Sequence, residues 1–339
     1  RVQLLYRSGL WEAEEIVDDY LALAAQELET YGAAVYQGYD QNYAPVASPS
    51  LVGTLGAAWL ARETGDEALS ARMVQAGETL GIAEFIAADN PYNIARALWC
   101  AEELGCSQTL RDNLAEGLLS YYSEEEQAFD YWGCSVDTNT VIARGAMTYT
   151  GEVSGVAQAA EHAMTFVDSL RQPDGSYFSD FQYSTDSNAD STGLALSALA
   201  DQAARGDETA PQKAAVTYRA LMDRYFVADS GAFGYMDNTS ANSYATADAL
   251  EGLLTYAEVL EQHPPEPPVT PQQPEDTTSA TETESAPSQE TSSEGASEAS
   301  AGESSPQTGD DSASWAAGAL AALLLAVAAG VVGMKKVRK

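Results

Sequence analysis

Two kinds of hydrophobic pattern alternate along residues 1–263, and both have the spacing of an α-helix. One kind is amphipathic, as in WEAEEIVDDYLALAAQELET at 11–30, and the other is apolar on nearly every face, as in GLALSALA at 193–200. A helix that is apolar all round is buried on every side, whereas an amphipathic helix covers a core with one face. The alternation predicts an all-α domain of five helical hairpins, since alternating runs of Val, Ile and Thr are nearly absent.

Turn and cap residues set the predicted helix boundaries. Asp66 is expected to cap one helix, Pro211 to open another, and Asp190 or Ser191 to cap the apolar helix that starts near residue 190. The predicted amphipathic helices are 11–30, 66–85, 107–122, 154–171 and 211–226. The predicted apolar helices are 50–62, 91–104, 138–149, 190–200 and 244–261.

A loop with glycine and aromatic residues precedes the later apolar helices, so the hairpins form an internal repeat. QPDGSYF at 172–178 leads to DSNADSTGLALSALA at 186–200, and SGAFGYM at 230–236 precedes the last apolar helix. The period is about 50 residues, enough for two helices and two loops. The residues that we align at the first turns of four apolar helices are Tyr92, Thr140, Thr192 and Thr246.

These repeats resemble those of the prenyltransferase and squalene-cyclase type. That repeat places an Asp-Gly-aromatic turn before a helix that opens with Asp, Ser or Thr and continues in Ala and Leu, as residues 174–200 do. The resemblance implies an α/α toroid, with apolar helices in an inner ring and amphipathic helices in an outer ring. Members usually close with six hairpins, and a truncated start would account for the missing one, since the chain begins at Arg1 without Met. The family includes terpene cyclases, prenyltransferase β-subunits and cobalamin carriers of the transcobalamin type.

Residues after 263 have a different composition. Residues 264–304 are rich in Pro, Ser, Thr and Glu, which cannot bury a core, and we expect them to be a disordered spacer. Residues 305–339 then combine a short motif, an apolar stretch at 315–334 that is long enough to span a bilayer, and a basic end. The basic residues, which favour the cytoplasmic side, are Lys335, Lys336, Arg338 and Lys339.

The motif resembles the sortase sorting signal Leu-Pro-any-Thr-Gly, with Ser in place of Leu. Its residues are Ser305, Pro306, Gln307, Thr308 and Gly309. The resemblance implies that a sortase cysteine attacks the Thr308 carbonyl, releases Gly309 and the residues after it, and joins Thr308 to peptidoglycan. The expected location is the surface of a Gram-positive bacterium, after a transient single-pass membrane precursor. The alternative is a plain single-pass anchor.

The net charge is −35, and most of it belongs to residues 1–263. Such a surface repels nucleic acid, so nucleic acid is not an expected partner. The acidity is open to two interpretations, solubility or the binding of cationic ligands or Ca²⁺. Three cysteines, Cys100, Cys106 and Cys134, do not make a disulfide framework.

The signatures of the enzymes that share this repeat are absent from the sequence. The Asp-any-Asp-Asp acid cluster of class II terpene cyclases is replaced by DSNAD at 186–190. The two histidines, His162 and His263, lie on an amphipathic helix and at the domain edge, which argues against a zinc centre or histidine-based catalysis. Cys134 is followed by Ser-Val-Asp and does not match the Cys-Gly-Glu-Gln thioester motif. We therefore predict no metal ligand, cofactor or catalytic residue.

Carboxylates recur near the starts of the apolar helices, which converge on one mouth of a toroid. They are Asp137, Asp190 and either Asp237 or Asp248, with Asp130, Asp180 and Asp186 in the loops. Each can be a helix cap, or a pair can act as acid and base on a glycosidic bond. Arg96 and Arg144 lie inside apolar helices and need a partner, either one of these aspartates at the rim of the mouth, a helix-end carbonyl or an anionic ligand.

Aromatic residues in the same loops either plug the end of the domain or line a ligand cleft. We expect a ligand-binding or interaction module whose site is formed by Tyr177, Phe178, Tyr183, Asp190, Phe233 and Tyr235. The ligand is left open among a corrinoid, a glycan and a protein. The alternative function is a carbohydrate-active hydrolase or lyase that uses the carboxylates.

Overall fold

The computed structural model describes residues 2–9, 13–39, 44–80, 90–179 and 185–262, and these ranges form a mostly helical, all-α fold. The predicted spacer at 264–304, the sorting signal at 305–339 and its apolar stretch at 315–334 lie outside them. None of the helices in the described ranges combines the length and apolarity needed to cross a membrane.

The helices follow the predicted alternation closely. In chain order they are α1 Val2–Arg7, α2 Ala13–Tyr31, α3 Leu51–Glu63, α4 Glu67–Thr79, α5 Pro91–Leu104, α6 Gln108–Leu119, α7 Val136–Thr148, α8 Val156–Ser169, α9 Ala189–Ala204, α10 Ala210–Tyr225 and α11 Ser243–Gln262. Helix α1 was not predicted, because six residues are too few to show a helical period.

Three antiparallel hairpins interrupt the helices. Strand β1 Val35–Tyr39 pairs with β2 Pro45–Pro49, β3 Tyr122–Ser123 with β4 Ala128–Phe129, and β5 Phe226–Val227 with β6 Ala232–Phe233. Sequence analysis did not predict them. Strands β3 to β6 have two residues each and cannot show an alternating pattern, and β1 and β2 contain Gly or Pro in place of a run of Val, Ile and Thr. The last residues of β4 and β6, Phe129 and Phe233, are fully buried.

The five apolar helices α3, α5, α7, α9 and α11, which we call the core helices, pack side by side in chain order. Each of α4, α6, α8 and α10 packs against the core helix before it, and α1 contacts both α11 and α3. A return helix after a turn brings the chain back, so successive core helices begin at the same end of the domain. Most buried residues of α2 to α11 form one large hydrophobic cluster, and two small clusters lie beside it.

Glycine allows some core helices to approach closely. A Cβ atom on Gly193 of α9 would lie 2.7 Å from the Ala249 backbone of α11, and one on Gly252 would lie 2.3 Å from the Gly193 carbonyl oxygen. Likewise, a Cβ on Gly145 of α7 would lie 2.6 Å from the Ala95 carbonyl oxygen of α5. These separations are too short for any side chain, so the backbones themselves are in contact.

Short polar residues cap the core helices. Ser50, Asn90, Ser135 and Asn188 each accept a hydrogen bond from the amide three residues ahead, and Asn242 accepts from Tyr244 and Ala245. The predicted cap of α9 is therefore wrong, since the cap is Asn188 and not Asp190 or Ser191. Asp66 caps α4 as predicted, through the amide of Leu69.

The residue four positions beyond the cap fastens the preceding loop to the helix. Thr192 Oγ1 accepts a hydrogen bond from the Tyr177 amide at 3.0 Å and donates one to the Asn188 carbonyl at 2.6 Å. Thr246 makes the same pair of contacts, accepting from the Phe233 amide at 3.0 Å and donating to the cap carbonyl at 2.6 Å. We call this contact the loop fastener.

Two further core helices use the same fastener. Asn139 accepts from the Phe129 amide at 2.8 Å, and Thr54 accepts from the Ala34 amide at 3.1 Å. The structural repeat therefore aligns Asn139 with Thr192 and Thr246. The sequence alignment placed Thr140 there, one residue too late, because both residues are short and polar.

We expect Thr192→Val to lower the free energy of unfolding by about 1–3 kcal/mol, because the buried Tyr177 amide loses its acceptor. Thr140→Val is the matched control, since the buried Thr140 hydroxyl contacts only carbonyls of its own helix. Urea unfolding of both variants measures the difference. Equal losses would show that the fastener does not stabilise the fold.

Candidate functional site

The loops before the core helices meet at one end of the domain. The Ala189 amide at the start of α9 donates to the Tyr235 carbonyl at 2.8 Å, and the Val136 amide at the start of α7 donates to the Ser179 carbonyl at 2.8 Å. The Tyr92 ring of α5 packs edge-on against Tyr131, in the loop before α7, with centroids 6.1 Å apart. Loops from different repeats are thus joined around a shared surface.

Three carboxylates converge at this end, and we call the surface around them the acidic mouth. They are Asp137 on α7, Asp190 on α9 and Asp248 on α11. Asp137 accepts hydrogen bonds from Ser191 Oγ at 2.6 Å and from Ser179 Oγ at 3.4 Å. These contacts join the start of α7 to the start of α9.

The Asp190 carboxyl is exceptional because its Oδ1 atom is buried and has no hydrogen-bond partner among the described residues. Burial, and next to it the charge of Asp137, raise the pKa of Asp190 to about 7. Ser135 and Asn188 cap the two helices, so the capping interpretation is wrong for Asp137 and Asp190. Each of these acids lies two residues beyond the cap.

Asp248 lies one turn deeper, in the second turn of α11. Burial raises its pKa to about 8, together with the charges of Asp190, Glu251 and Asp137, while Arg96 acts weakly in the opposite direction. The three carboxylates therefore repel one another. A cation, a hydroxyl-rich ligand or a shared proton would each relieve that repulsion.

A second charged group lies further along the same helices and contains a cation between two carboxylates. Arg144 of α7 pairs with Asp201 of α9 at 2.6 Å and with Glu251 of α11. Burial opposes the Arg144 charge, but the two carboxylates outweigh it and raise the pKa of Arg144. The partners predicted for Arg144 included acids at the helix starts, whereas the observed acids lie deeper.

Arg96 of α5 is exposed and forms no ion pair with any described residue. Its charge still reaches the mouth, since it helps to lower the pKa of Glu251 against the effect of burial and weakens the rise in the pKa of Asp248. Arg96 is a cation beside the carboxylates without contact to them.

The structure separates the residues of the predicted binding site. Tyr177, Phe178 and Phe233 are in the hydrophobic core, with 0%, 4% and 0% of their surface exposed. Their rings offer no surface for stacking on a ligand, because the loop fasteners hold the start of each loop against its helix. Tyr183 lies outside the described residues. Asp190 and Tyr235 remain at the mouth.

Tyr235 is 44% exposed, and burial followed by the charges of Asp190 and Asp137 raises its pKa. The carboxylate of Asp237, two residues further, accepts hydrogen bonds from the amide and hydroxyl of Thr239 and is fully exposed. Of the two acids left open by the sequence, Asp248 belongs to the mouth.

Trp132 is one of the loop aromatic residues of the sequence but is not among the predicted site residues. It is the most exposed large hydrophobic residue of the described chain, at 86%. Its φ of 63° lies in a region that bulky residues seldom adopt. The turn is held by Asp130, whose Oδ1 accepts from the Gly133 amide at 2.8 Å. The positive φ could not be read from the sequence, although the following glycine marked a turn.

Among the described residues, no group of three or more His, Cys, Asp or Glu side chains has the arrangement of a metal site. His162 contacts the Tyr122 hydroxyl and stacks on that ring. The geometry instead suits cation binding, hydrogen bonding to hydroxyl groups, or proton exchange between two carboxyls.

We expect Asp248→Asn to stabilise the protein more at pH 8 than at pH 5. The pKa of Asp248 is near 4 in the unfolded chain and about 8 in the folded protein, so the folded protein holds this proton more tightly. The free energy of unfolding therefore falls as the pH rises from about 4 to about 8. Asparagine removes this dependence, which reaches about 1.4 kcal/mol per pH unit for a single group. Thermal unfolding across pH measures it.

Asp237→Asn is the control for that experiment, because hydrogen bonds from Thr239 lower the pKa of Asp237. This variant should show no gain at pH 8. A gain for Asp248→Asn that is the same at both pH values would contradict the charge repulsion described above.

No family model matches this chain, and no curated protein matches it. Among solved structures it is similar to the Lin0763 protein from Listeria innocua, with a TM-score of 0.51 and 12% identity, covering 77% of this chain and 84% of that chain. A protein from Actinoplanes gives a TM-score of 0.44 and 16% identity, covering 71% of this chain and 75% of that one. The first likeness shows a shared fold alone.

Proposed function

We propose that residues 1–263 form a ligand-binding module built as an α/α toroid, displayed on the surface of a Gram-positive bacterium. The order of helix contacts supports the toroid, since the core helices follow one another and α1 touches both α11 and α3. Arg7 of α1 also binds Glu258 of α11 through two hydrogen bonds, at 2.9 and 3.1 Å. In this arrangement α1 takes the sixth inner position and α2 pairs with it.

Display on the cell wall is supported by the order of three segments after residue 263. A spacer at 264–304 precedes the sorting motif at 305–309, and an apolar stretch with a basic end follows. Sortase would join Thr308 to peptidoglycan, and the spacer would carry the helical module away from the wall. The membrane would hold the precursor through 315–334 until that reaction.

The binding role rests on one observation, the convergence of Asp137, Asp190 and Asp248 at the mouth. Ser135 and Asn188 cap α7 and α9, so capping does not account for Asp137 or Asp190, and the Asp190 Oδ1 atom is buried without a hydrogen-bond partner among the described residues. Burial and neighbouring carboxylates raise the pKa of Asp190 and of Asp248. Carboxyls whose pKa is strongly raised in this way are typical of a site for a ligand.

A second candidate is a carbohydrate-active hydrolase or lyase. The observation in its favour is the pair Asp137 and Asp190, because the pKa of Asp190 is raised to about 7 beside a carboxylate that accepts two serine hydroxyls. One carboxyl that holds its proton near neutral pH next to one that accepts hydrogen bonds is the arrangement that acid and base catalysis needs.

We expect the module to be released from cells only after digestion of the wall with a muralytic enzyme. Thr308→Ala should remain with the membrane fraction, because the bond that sortase cleaves follows Thr308. Immunoblots of the two fractions compare the variant with the unaltered chain. Release of Thr308→Ala in the same way as the unaltered chain would contradict wall anchoring.

Binding at the mouth is tested by thermal shift with corrinoids, isoprenoids, cell-surface glycans and cationic peptides. A ligand that stabilises the unaltered chain should lose most of its effect with Asp190→Asn and with Tyr235→Ala. Glu208→Gln is the control, since Glu208 is exposed in the turn after α9, at the opposite end from the mouth. If every ligand acts equally on all three variants, the site lies elsewhere.

The same variants separate the two candidate functions. Turnover of a bound glycan, abolished by Asp190→Asn while binding is retained, would favour the hydrolase or lyase. Binding without turnover supports the binding module.

A further inference from the structure

We infer that a cleft between α8, α9 and α10 binds a neutral polyhydroxyl molecule of monosaccharide size through the hydroxyl groups of Tyr177 and Thr217. The cleft has a volume of about 390 Å³, and residues of all three helices line it together with Tyr177. Volumes of about 300–1,000 Å³ are usual for small-molecule sites. Its α9 residues, Leu199 and Gln202, belong to the C-terminal half of that helix, whereas the acidic mouth lies at its start. The inference therefore does not depend on the proposed function.

Two buried hydroxyl groups that lack a hydrogen bond adjoin this cleft. Tyr177, which lines the cleft, and Thr217 are both fully buried, and neither hydroxyl has a hydrogen-bond partner among the described residues. Burial, followed by the charge of Asp168, raises the pKa of Tyr177, while Arg171 and Thr217 act in the opposite direction. Asp168 and Thr217 therefore lie close to the Tyr177 hydroxyl. A buried hydroxyl without a partner is costly, so these groups suit a ligand that supplies one.

A carboxylate oxygen beside these hydroxyls also lacks a hydrogen bond. Asp168 Oδ1 is buried without a hydrogen-bond partner among the described residues, although the Arg171 guanidinium forms an ion pair with it at 3.3 Å. The other oxygen, Oδ2, accepts a hydrogen bond from Lys213 at 3.1 Å. A carboxylate oxygen only accepts hydrogen bonds, whereas a hydroxyl group both donates and accepts. Neighbouring hydroxyl groups of one ligand therefore satisfy all three, donating to Asp168 and bonding to Tyr177 and Thr217.

The charges around the cleft favour a neutral ligand. Asp168 already pairs with two cations, Lys213 and Arg171, so a cationic ligand would have to displace one of them. An anionic ligand would also meet the carboxylates of Glu161 and Asp207, which line the cleft. Apolar side chains line another part of it and suit the CH groups of a sugar ring or a cyclic polyol. They are Met164, Val167 and Leu199.

Access to the buried oxygens requires a side chain of the cleft to move, because bulk water does not reach them. Lys213 is able to move at little cost. The two side chains of its ion pair with Asp168 are 31% and 37% exposed, and exposed pairs contribute little to stability. Lys213 and Thr217 lie four residues apart on one face of α10. A shift of the lysine therefore opens a route to the hydroxyl one turn further along that face.

The experiment is titration calorimetry of the full chain with four small molecules, in a detergent without sugar head groups. Glucose and myo-inositol are the neutral probes. Glucosamine and glucuronate are the charged counterparts of glucose, because they keep its ring and add one positive or one negative charge. Sugars at high concentration stabilise proteins by being excluded from their surface, so only saturable heat counts as binding.

We expect a neutral probe to bind to saturation. Its affinity should exceed that of glucosamine and that of glucuronate by about tenfold or more, because a charge that is buried without a matching partner is costly. The neutral probe should also raise the melting temperature of the protein, since it binds the folded chain and not the unfolded one.

Variants that remove one hydroxyl locate the site. Tyr177→Phe and Thr217→Val should each weaken binding of the neutral probe by about fivefold or more, because a hydrogen bond to the ligand is lost. Neither should lower the melting temperature of the free protein, since a hydroxyl without a partner does not stabilise the fold. Tyr225→Phe is the matched control and should leave binding unchanged. Tyr225 is also fully buried and its hydroxyl has no partner among the described residues, but it does not line the cleft.

Four results would overturn the inference. Absence of saturable binding by both neutral probes would show that the cleft holds water alone. Equal or stronger binding of glucosamine or glucuronate would show that hydroxyl groups do not select the ligand. Binding that is unchanged by Tyr177→Phe and Thr217→Val, or that is lost with Asp190→Asn instead, would place the site elsewhere. A lower melting temperature of free Tyr177→Phe would show that this hydroxyl already has a partner in the fold.

Discussion

A hydrogen bond between a loop amide and the side chain four residues beyond a helix cap organises this domain. Thr54, Asn139, Thr192 and Thr246 each make it, and each also bonds to the carbonyl of its own cap residue. An unpaired buried amide is costly, so the contact fixes the loop in one position over the helix start. With the loop fixed, the acids two residues beyond the caps of α7 and α9 have defined neighbours.

Two charge groups along the same helices have opposite character. Deep in the domain, Arg144 joins α7, α9 and α11 through Asp201 and Glu251. Nearer the helix starts, Asp137, Asp190 and Asp248 repel one another. The backbones of α9 and α11 approach closely at Gly193, next to Asp248 and Ala249, so the acids of the two helices lie near each other and their repulsion appears in their pKa values.

Helical periodicity was enough to predict where most helices lie, because an apolar face must recur with the helical repeat wherever a helix is buried. The same information could not place the loops. Tyr177 and Tyr235 follow similar glycine-aromatic patterns, yet Tyr177 is fully buried and Tyr235 is 44% exposed. The loop fastener accounts for the difference, because Thr192 binds the Tyr177 amide directly. Thr192 lies 15 residues beyond Tyr177, so the local pattern around Tyr177 does not contain its partner. Sequence analysis named Asp190 as a possible cap of α9. The structure shows that Asn188 is the cap, so the Asp190 carboxyl is not used for capping.

The mouth carboxyls repel one another in the folded protein, and the acidic mouth is defined by that repulsion. Titration of the Asp190 and Asp248 side-chain carboxyl carbons by NMR tests it most directly, with Asp137→Asn to separate the contribution of that neighbour. The structure predicts midpoints near 7 for Asp190 and near 8 for Asp248, and a lower midpoint for Asp190 when Asp137 is replaced. Midpoints near 4 for both residues would contradict it, since an isolated, solvated aspartate titrates there.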